Sequence, residues 1–451
     1  MSGRNSCIIF FSLLLAVQLY LVRQSAAETM TVDAALFQQL QQVMEQQQQQ
    51  LQRQSEQLKS QSEVLESLQQ QVNDLKQTTS EARAEASEAK STAQQAVDTV
   101  KKAGPAAQAA KDKVVTSGQD RIKLAISGQV NRAVNLADDG DETKAYFVDN
   151  DASNTRFRLV GTGKVTDDLT IGSRFEVALT SNESSRVSQD DEDAGDFSDV
   201  RWAEVSFDSK RFGKLSLGKG DTASNNSAEV DLSRTDVVQY ASVAAIAGGL
   251  QFRDNGDNLT GVSVSDAFKD LDGLSREDRL RYDTPSFYGF NLAGSAVSDQ
   301  RWDASLWWGG QGYGFKAAAA AAVSDPNLNN VDLLYDGSFS ILHESTGLNF
   351  TISGGVQDQD GDDPTNLYAK AGWIAGLFSF GDTAFGADYT RSTNFPTGSD
   401  DGYSFGVAAV QEIEDFGTEI YAQYRLYSLD RDGSPSVQDI SVGTVGARVK
   451  F

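Results

Sequence analysis

The sequence predicts an all-β transmembrane barrel preceded by a long α-helical coiled coil. Three observations carry that prediction. A seven-residue apolar repeat runs unbroken from Phe37 to Val100. Alternating apolar and polar stretches follow, joined by connections that switch between short and long. The chain ends on an aromatic residue, Phe451, with Val449, Ala447 and Val445 on the same face. Composition removes other classes. The 451 residues carry 64 acids against 39 bases, a net charge of −25, with one His and one Cys. A single Cys excludes a disulfide scaffold, and one Cys with one His leaves no room for a Cys/His zinc site. A chain this acidic is no basic nucleic-acid binder. A polar average does not exclude a membrane barrel, because only alternate residues of its strands face lipid.

Residues 1–27 read as an export signal. Arg4 is followed by the apolar run Ile8 to Val22, then by Arg23 and the small-residue pattern Ser25-Ala26-Ala27. The run is short of the roughly 20 residues a spanning helix needs, and a retained anchor is the alternative. Cys7 lies inside this signal, so the mature chain lacks Cys, which suits an oxidising compartment.

Residues 28–103 read as a coiled-coil stalk. One core row holds Phe37, Met44, Leu51, Leu58, Leu65 and Val72. The second, offset by three, holds Leu40, Leu68 and Leu75, with Gln47, Gln54 and Gln61 between. These are the a and d positions of a left-handed supercoil. The seam turns to Ala towards its end and is too weak for a lone helix, so the chain should oligomerise. Its strand number stays open. A disordered polar tract is the alternative around Gln46 to Gln50. At ~1.5 Å per residue the coil is roughly 95 Å long, a strut rather than a globular domain. Gly104-Pro105 ends it, and residues 104–118 form a linker.

Residues 119–451 carry the strands. Leu169, Ile171, Phe175, Val177 and Leu179 share one face; Thr170, Arg174, Glu176 and Thr180 share the other. Thr418 to Leu426 and Ile122 to Asn131 alternate in the same way. Alternation alone also fits a soluble sandwich. The connections favour a membrane barrel. Short ones (166–168, 208–213, 284–289, 414–417) take turns with long polar ones (137–153, 181–199, 357–365, 392–403, 429–438). Trp202, Tyr240, Tyr282, Tyr288, Trp302, Trp373 and Tyr427 lie near strand ends, where they would form interfacial girdles. The terminal Phe451 looks like a barrel assembly signal.

From about Lys123 to Phe451 the chain resembles bacterial general-diffusion porins. The resemblance rests on Ser127-Gly128-Gln129-Val130-Asn131-Arg132, Val148-Asp149-Asn150-Asp151, Asn154-Thr155-Arg156-Phe157-Arg158, Gly163 to Leu169, Phe212 to Gly218 and Phe451. It implies about sixteen antiparallel strands, a homotrimer, a third loop folded into the lumen, and an outer-membrane location among lipid and lipopolysaccharide. The coiled coil is not part of the common porin pattern.

Strand parity then points a set of arginines into the lumen: Arg156, Arg158, Arg174, Arg279, Arg281, Arg425 and Arg448. First and last strands are neighbours in a closed barrel, so most of these should share one wall. Arg132 sits on the apolar parity of its strand. The candidate inward loop runs from Asp221 to Gly249 and carries Glu229, Asp231 and Asp236. Acids facing arginines would set a transverse field across a pore. Acidic runs such as Asp190-Asp191-Glu192-Asp193 suit divalent cations bridging to lipopolysaccharide, or simply solvated repulsive loops. No metal, cofactor or enzymatic site is expected; His343 stands without a nucleophile motif.

These readings converge on a porin for small hydrophilic solutes and ions, with a periplasmic stalk. A structural tether between outer membrane and peptidoglycan is the alternative role.

Overall fold

The computed structural model describes residues 115–116, 121–195, 198–432 and 435–451. The signal segment, the coiled-coil core from Phe37 to Leu75 and most of the linker lie outside the described residues.

The compact unit Asp112–Phe451 is a closed antiparallel β-barrel. Its first strand, β1 (Ile122–Asp138), is followed by β2 (Thr143–Asp149) and β3 (Arg156–Lys164). These two share one wall position: β2 pairs with residues 132–138 of β1, and β3 with residues 122–129. Next come β4 (Leu169–Ala178), β5 (Asp199–Ser209), β6 (Gly213–Asp221), β7 (Arg276–Asp283) and β8 (Phe290–Val297). The meander continues through β9 (Trp302–Gly312), β10 (Phe315–Asp325), β11 (Val331–His343), β12 (Leu348–Gln359) and β13 (Thr365–Phe378). It ends with β14 (Gly381–Thr393), β15 (Asp401–Ile413), β16 (Thr418–Asp430) and β17 (Ile440–Lys450). The sheet has eighteen strands, including an edge pair of residues at Val115–Thr116. Without that edge piece, and with β2 and β3 counted as one position, the wall has the sixteen strands the sequence led us to expect.

Closure comes from β17 pairing with β1, from Lys450 opposite Gln129 to Ser441 opposite Asp138. Phe451 and Gly128 then exchange backbone hydrogen bonds of 2.9 and 3.0 Å. A Cβ on Gly128 would lie 2.6 Å from the Phe451 ring, so the terminal aromatic packs where only glycine fits. A closed sheet leaves no unpaired edge, which is what a lipid environment demands.

Outward side chains form an apolar belt that includes Val130, Phe175, Leu217, Leu292, Phe350 and Val445, all exposed. At the short-turn end, Phe212, Tyr288, Tyr313, Trp373, Phe380 and Phe416 are exposed, the placement of an aromatic girdle. Three of the aromatics assigned to girdles by sequence belong elsewhere. Trp202 and Tyr427 are buried on the inner face, and Tyr240 lines a cavity in the lumen. Nearness to a strand end says nothing about which face a ring occupies.

One long connection proves short. Residues 137–153 contain β2, and the turn itself is Asp139 to Glu142. Asp139 Oδ1 accepts from the backbone of Asp141 and Glu142 (3.2 and 3.1 Å), so the acidic run builds the turn instead of a flexible loop.

The connection between β6 and β7, residues 222–275, folds into the lumen and runs well past the sequence-expected limit at Gly249. Polar wall residues hold its first limb: Val230 N donates to Ser338 Oγ and Leu232 N to Ser340 Oγ, both at 3.0 Å. Its middle builds an apolar core inside the barrel, where Val237, Val243, Ile246, Leu250, Phe252 and Phe268 pack with Tyr146, Val148, Tyr427, Leu429, Ile440 and Val442. Burial on this scale fixes the loop as part of the wall. A small hairpin, Gln251–Arg253 with Leu259–Ser263, then reaches the β16–β17 loop, where Gln438 N donates to Arg253 O at 2.8 Å.

Candidate functional site

The loop is hydrogen-bonded to inner-face residues of β8, β9, β11, β13 and β1, and two cavities lie against β3 to β7. Parity places Arg156 and Arg158 of β3 and Arg174 of β4 on that face. They converge on Glu176, which is fully buried. Arg158 Nε ion-pairs with it, Arg174 Nη2 lies 2.9 Å away, Arg201 Nε 3.0 Å and Arg156 Nη1 3.7 Å. A buried carboxylate is tolerable only when paired, and four guanidiniums over-satisfy that need. The surplus positive charge faces the lumen. The guanidiniums of Arg174 and Arg276 lie over the Trp202 ring, 3.6 and 4.7 Å from its centroid.

Acids share this space with the arginines. Glu229, Asp270 and Asp272 of the inward loop, with Asp151 from the break between β2 and β3, share a cavity of about 510 Å³ with Arg156, Arg201 and Arg276. Asn225, Asn226, Tyr240, Ser242 and Ser275 also line it. Burial, then the charges of Asp272 and Asp270, hold the Glu229 carboxyl well above its ordinary range. Burial and then the charge of Asp270 do the same to Asp272. A second cavity of about 310 Å³ sets Arg174, Lys214, Arg279 and Arg281 beside Glu204, Asp221 and Asp283. Here the charges are paired locally: Arg279 to Glu204 at 2.5 Å and Arg281 to Asp283 at 2.7 Å.

The structure brings Arg156, Arg158, Arg174, Arg279, Arg281, Asp221 and Glu229 to this region and places other candidates elsewhere. Arg425 is buried against Asp388 on the far wall, behind the inward loop. Arg448 pairs with Glu419 and donates to Ser153 Oγ at 2.6 Å, the same hydroxyl that Arg156 reaches at 3.0 Å. Within the region, Asp221 ends β6, lines the second cavity and pairs with Arg276 at 3.1 Å. Asp231 is tied to the buried Lys370 of β13, and Asp236 is exposed but lines neither cavity. Arg132 follows its outward parity and donates to Ser181 O at 3.0 Å.

Arg201, Arg276, Glu176, Asp151, Asp270 and Asp272 join the site without having been singled out by sequence. A register shift beside Glu176 makes Arg201 an extra residue between Val200 and Trp202, so Arg201 and Trp202 both turn inward. Arg276 is the first residue of β7, where parity no longer fixes direction. Asp270 and Asp272 lie on the returning limb, beyond Gly249.

A family model described as Gram-negative porin matches residues 96–432. A second, described as alanine-zipper, major outer membrane lipoprotein, matches residues 63–122 and agrees with the coiled coil read from the heptads. No curated protein matches the chain. Among solved structures, the anion-selective porin from Comamonas acidovorans is 15% identical, with 73% of this chain and 100% of that chain covered and a TM-score of 0.50. OmpT of Vibrio cholerae, in a trimer form, is 14% identical over 74% of this chain and 100% of its own, TM-score 0.48. OmpF of Salmonella typhi, in complex with daunomycin, is 14% identical over 74% and 98%, TM-score 0.47. At these identities the likeness concerns the fold alone.

Proposed function

The chain belongs to the Gram-negative porin family, and from that premise we propose that it forms a water-filled, trimeric channel through which small hydrophilic solutes and ions cross the outer membrane by passive diffusion. The observation that carries this reading is the cavity between Arg156, Arg201 and Arg276 and the acids Glu229, Asp270 and Asp272, inside a closed barrel. A structural loop would have no reason to keep opposed charges apart at an open lumen. A closed barrel filled only by packed side chains would not leave this space.

The weak heptad seam, which needs partner helices to bury its apolar row, supports an oligomer, and the porin family suggests that it is a trimer. The stalk is residues 28–103, in the periplasm, since β1 begins at the short-turn end, the end that faces the periplasm in porins. The second role, a tether to peptidoglycan, is favoured by the alanine-zipper match over residues 63–122. The stalk's length, roughly 95 Å, is of the order of the periplasm.

Single-channel conductance with reversal potential in a salt gradient tests the channel. Steps of fixed size from the folded, full-length protein are expected; their absence would refute it. Deleting residues 28–100 separates the roles: intact channels with a blebbing envelope support the tether, and an unaltered envelope removes it.

A further inference from the structure

We propose that a cavity of about 620 Å³ at the short-turn end of the barrel binds an anionic phospholipid, its phosphate on Lys316 and its acyl chains against the aromatic girdle. The inference rests on the chain being an outer-membrane barrel and not on what the pore conducts.

This cavity shares no lining residue with the two beside the arginine cluster. Its lip is the turn between β11 and β12, Glu344 to Gly347, and its sides are the ends of β10, β11, β13 and β14 with Arg234 of the inward loop. Ligand sites run from about 300 to 1,000 Å³, so the space is of binding-site size.

The first argument is charge. Four charged side chains line the cavity: Arg234, Lys316, Glu344 and Asp382. Arg234 pairs with Asp382 at 2.8 Å and with Glu412 at 3.2 Å. Glu344 accepts from Gln311 Nε2 at 2.9 Å. Lys316 alone of the four has no hydrogen bond or ion pair among the described residues. An unanswered ammonium carries three donors and takes an anion, for which phosphate oxygens are strong acceptors.

The second argument is the division of the lining. Lys316 stands opposite Leu342 in register, and Leu342 shares the inward parity of Ser338 and Ser340. Trp373 belongs to the outer girdle, and its indole Nε1 donates to Thr346 O at 3.1 Å. The cavity therefore crosses the rim at this turn, from the lumen mouth to the lipid face. Trp373 and Leu377 are 44% and 52% exposed, and next to Leu377 the Phe378 ring stacks on Phe380 at 5.2 Å. A free phosphate would satisfy Lys316 and leave this apolar surface bare. A phospholipid satisfies both, with its headgroup on the lip and its chains along the girdle.

Native mass spectrometry of the full-length protein, delipidated in detergent, tests the site. Phosphatidylglycerol should be retained about fivefold over diacylglycerol of the same chains, the worth of one cation at an anionic lipid surface. Lys316→Gln should remove that preference. Gly376→Leu should lower retention, because a Cβ there meets only Asp382 Oδ1, at 3.6 Å, and the longer side chain has the cavity to occupy. Lys164→Gln removes another exposed cation from the same end of the barrel and should change nothing. Equal retention of the two lipids by the unmodified protein overturns the proposal, a result that needs no variant to fold. An equal loss in the Lys164 and Lys316 variants overturns it as well, since the attraction would then be diffuse. Displacement of the lipid by inorganic phosphate overturns the lipid as occupant. No current is read, so each of these outcomes leaves the channel reading intact.

Discussion

Arg425 lies across Gly406 and donates two hydrogen bonds, of 2.8 and 2.6 Å, to the two carboxylate oxygens of Asp388. Both side chains are shut off from water, at 1% and 0% exposure. Gly406 makes this possible, because a Cβ there would come within 2.5 Å of Arg425 Nη2. The pair therefore serves the wall and not the current. Arg425→Ala should leave a buried, uncompensated carboxylate and destabilise the barrel by about 3–5 kcal/mol. Unfolding midpoints would show the loss, while the reversal potential should stay unchanged. A shift in selectivity without loss of stability would place Arg425 in the pore after all.

Lys370 does for the inward loop what Arg425 does for the wall. Its ammonium is buried, ion-pairs with Asp231, and donates to Thr235 Oγ1 and Gln239 O, both at 2.9 Å. Three partners on one loop limb make it a pin. Lys370→Met should free that limb, because Asp231 loses its cation and two acceptors lose their donor. The expected result is a rise in open-channel current noise, read in planar bilayers. Steady currents identical to those of the unmodified protein would show that the apolar contacts alone hold the loop.

The arginine cluster and its glutamate should act with opposite signs. Arg156→Ala and Arg201→Ala each remove positive charge from the open face and should move the reversal potential towards cation preference. Glu176→Gln leaves four guanidiniums around a neutral amide, so it should move the potential towards anions, with some loss of stability from their repulsion. Shifts of the same sign in all three variants would contradict the geometry.

How much of this was legible in the sequence follows from period. Parity is exact over a regular strand, so Arg156, Arg158, Arg174, Arg279 and Arg281 were found on the inner face from spacing alone. Parity fails at a bulge and at a strand end, which hid Arg201 and Arg276. It is also silent about what covers an inward face. Arg425 points inward as its spacing says, but the loop packed against that wall shuts it away from the solute path. In the sequence Glu176 reads as one of several polar residues on its face. Nothing local marks it as the centre of the cluster, since its partners come from β3 and β5 as well as from its own strand. The acids of the returning limb were lost because the loop's small residues stop at Gly249, whereas its chain stays in the lumen to residue 275.

Acidification offers the sharpest test of the acidic wall. Glu229 and Asp272 have pKa values raised from ordinary values of 4.5 and 3.8, by burial first and by neighbouring carboxylates second. A raised pKa means the neutral form is favoured, so these groups take up protons at a higher pH than exposed carboxylates do. As pH falls, the wall loses negative charge at a higher pH than exposed carboxylates do, while the arginines keep theirs. The reversal potential should therefore drift towards anion preference before ordinary acids titrate. Glu229→Gln should shrink the drift, and Glu229→Gln with Asp272→Asn should abolish most of it. A reversal potential that stays flat until exposed carboxylates titrate in the unmodified protein would take these carboxylates out of the ion path.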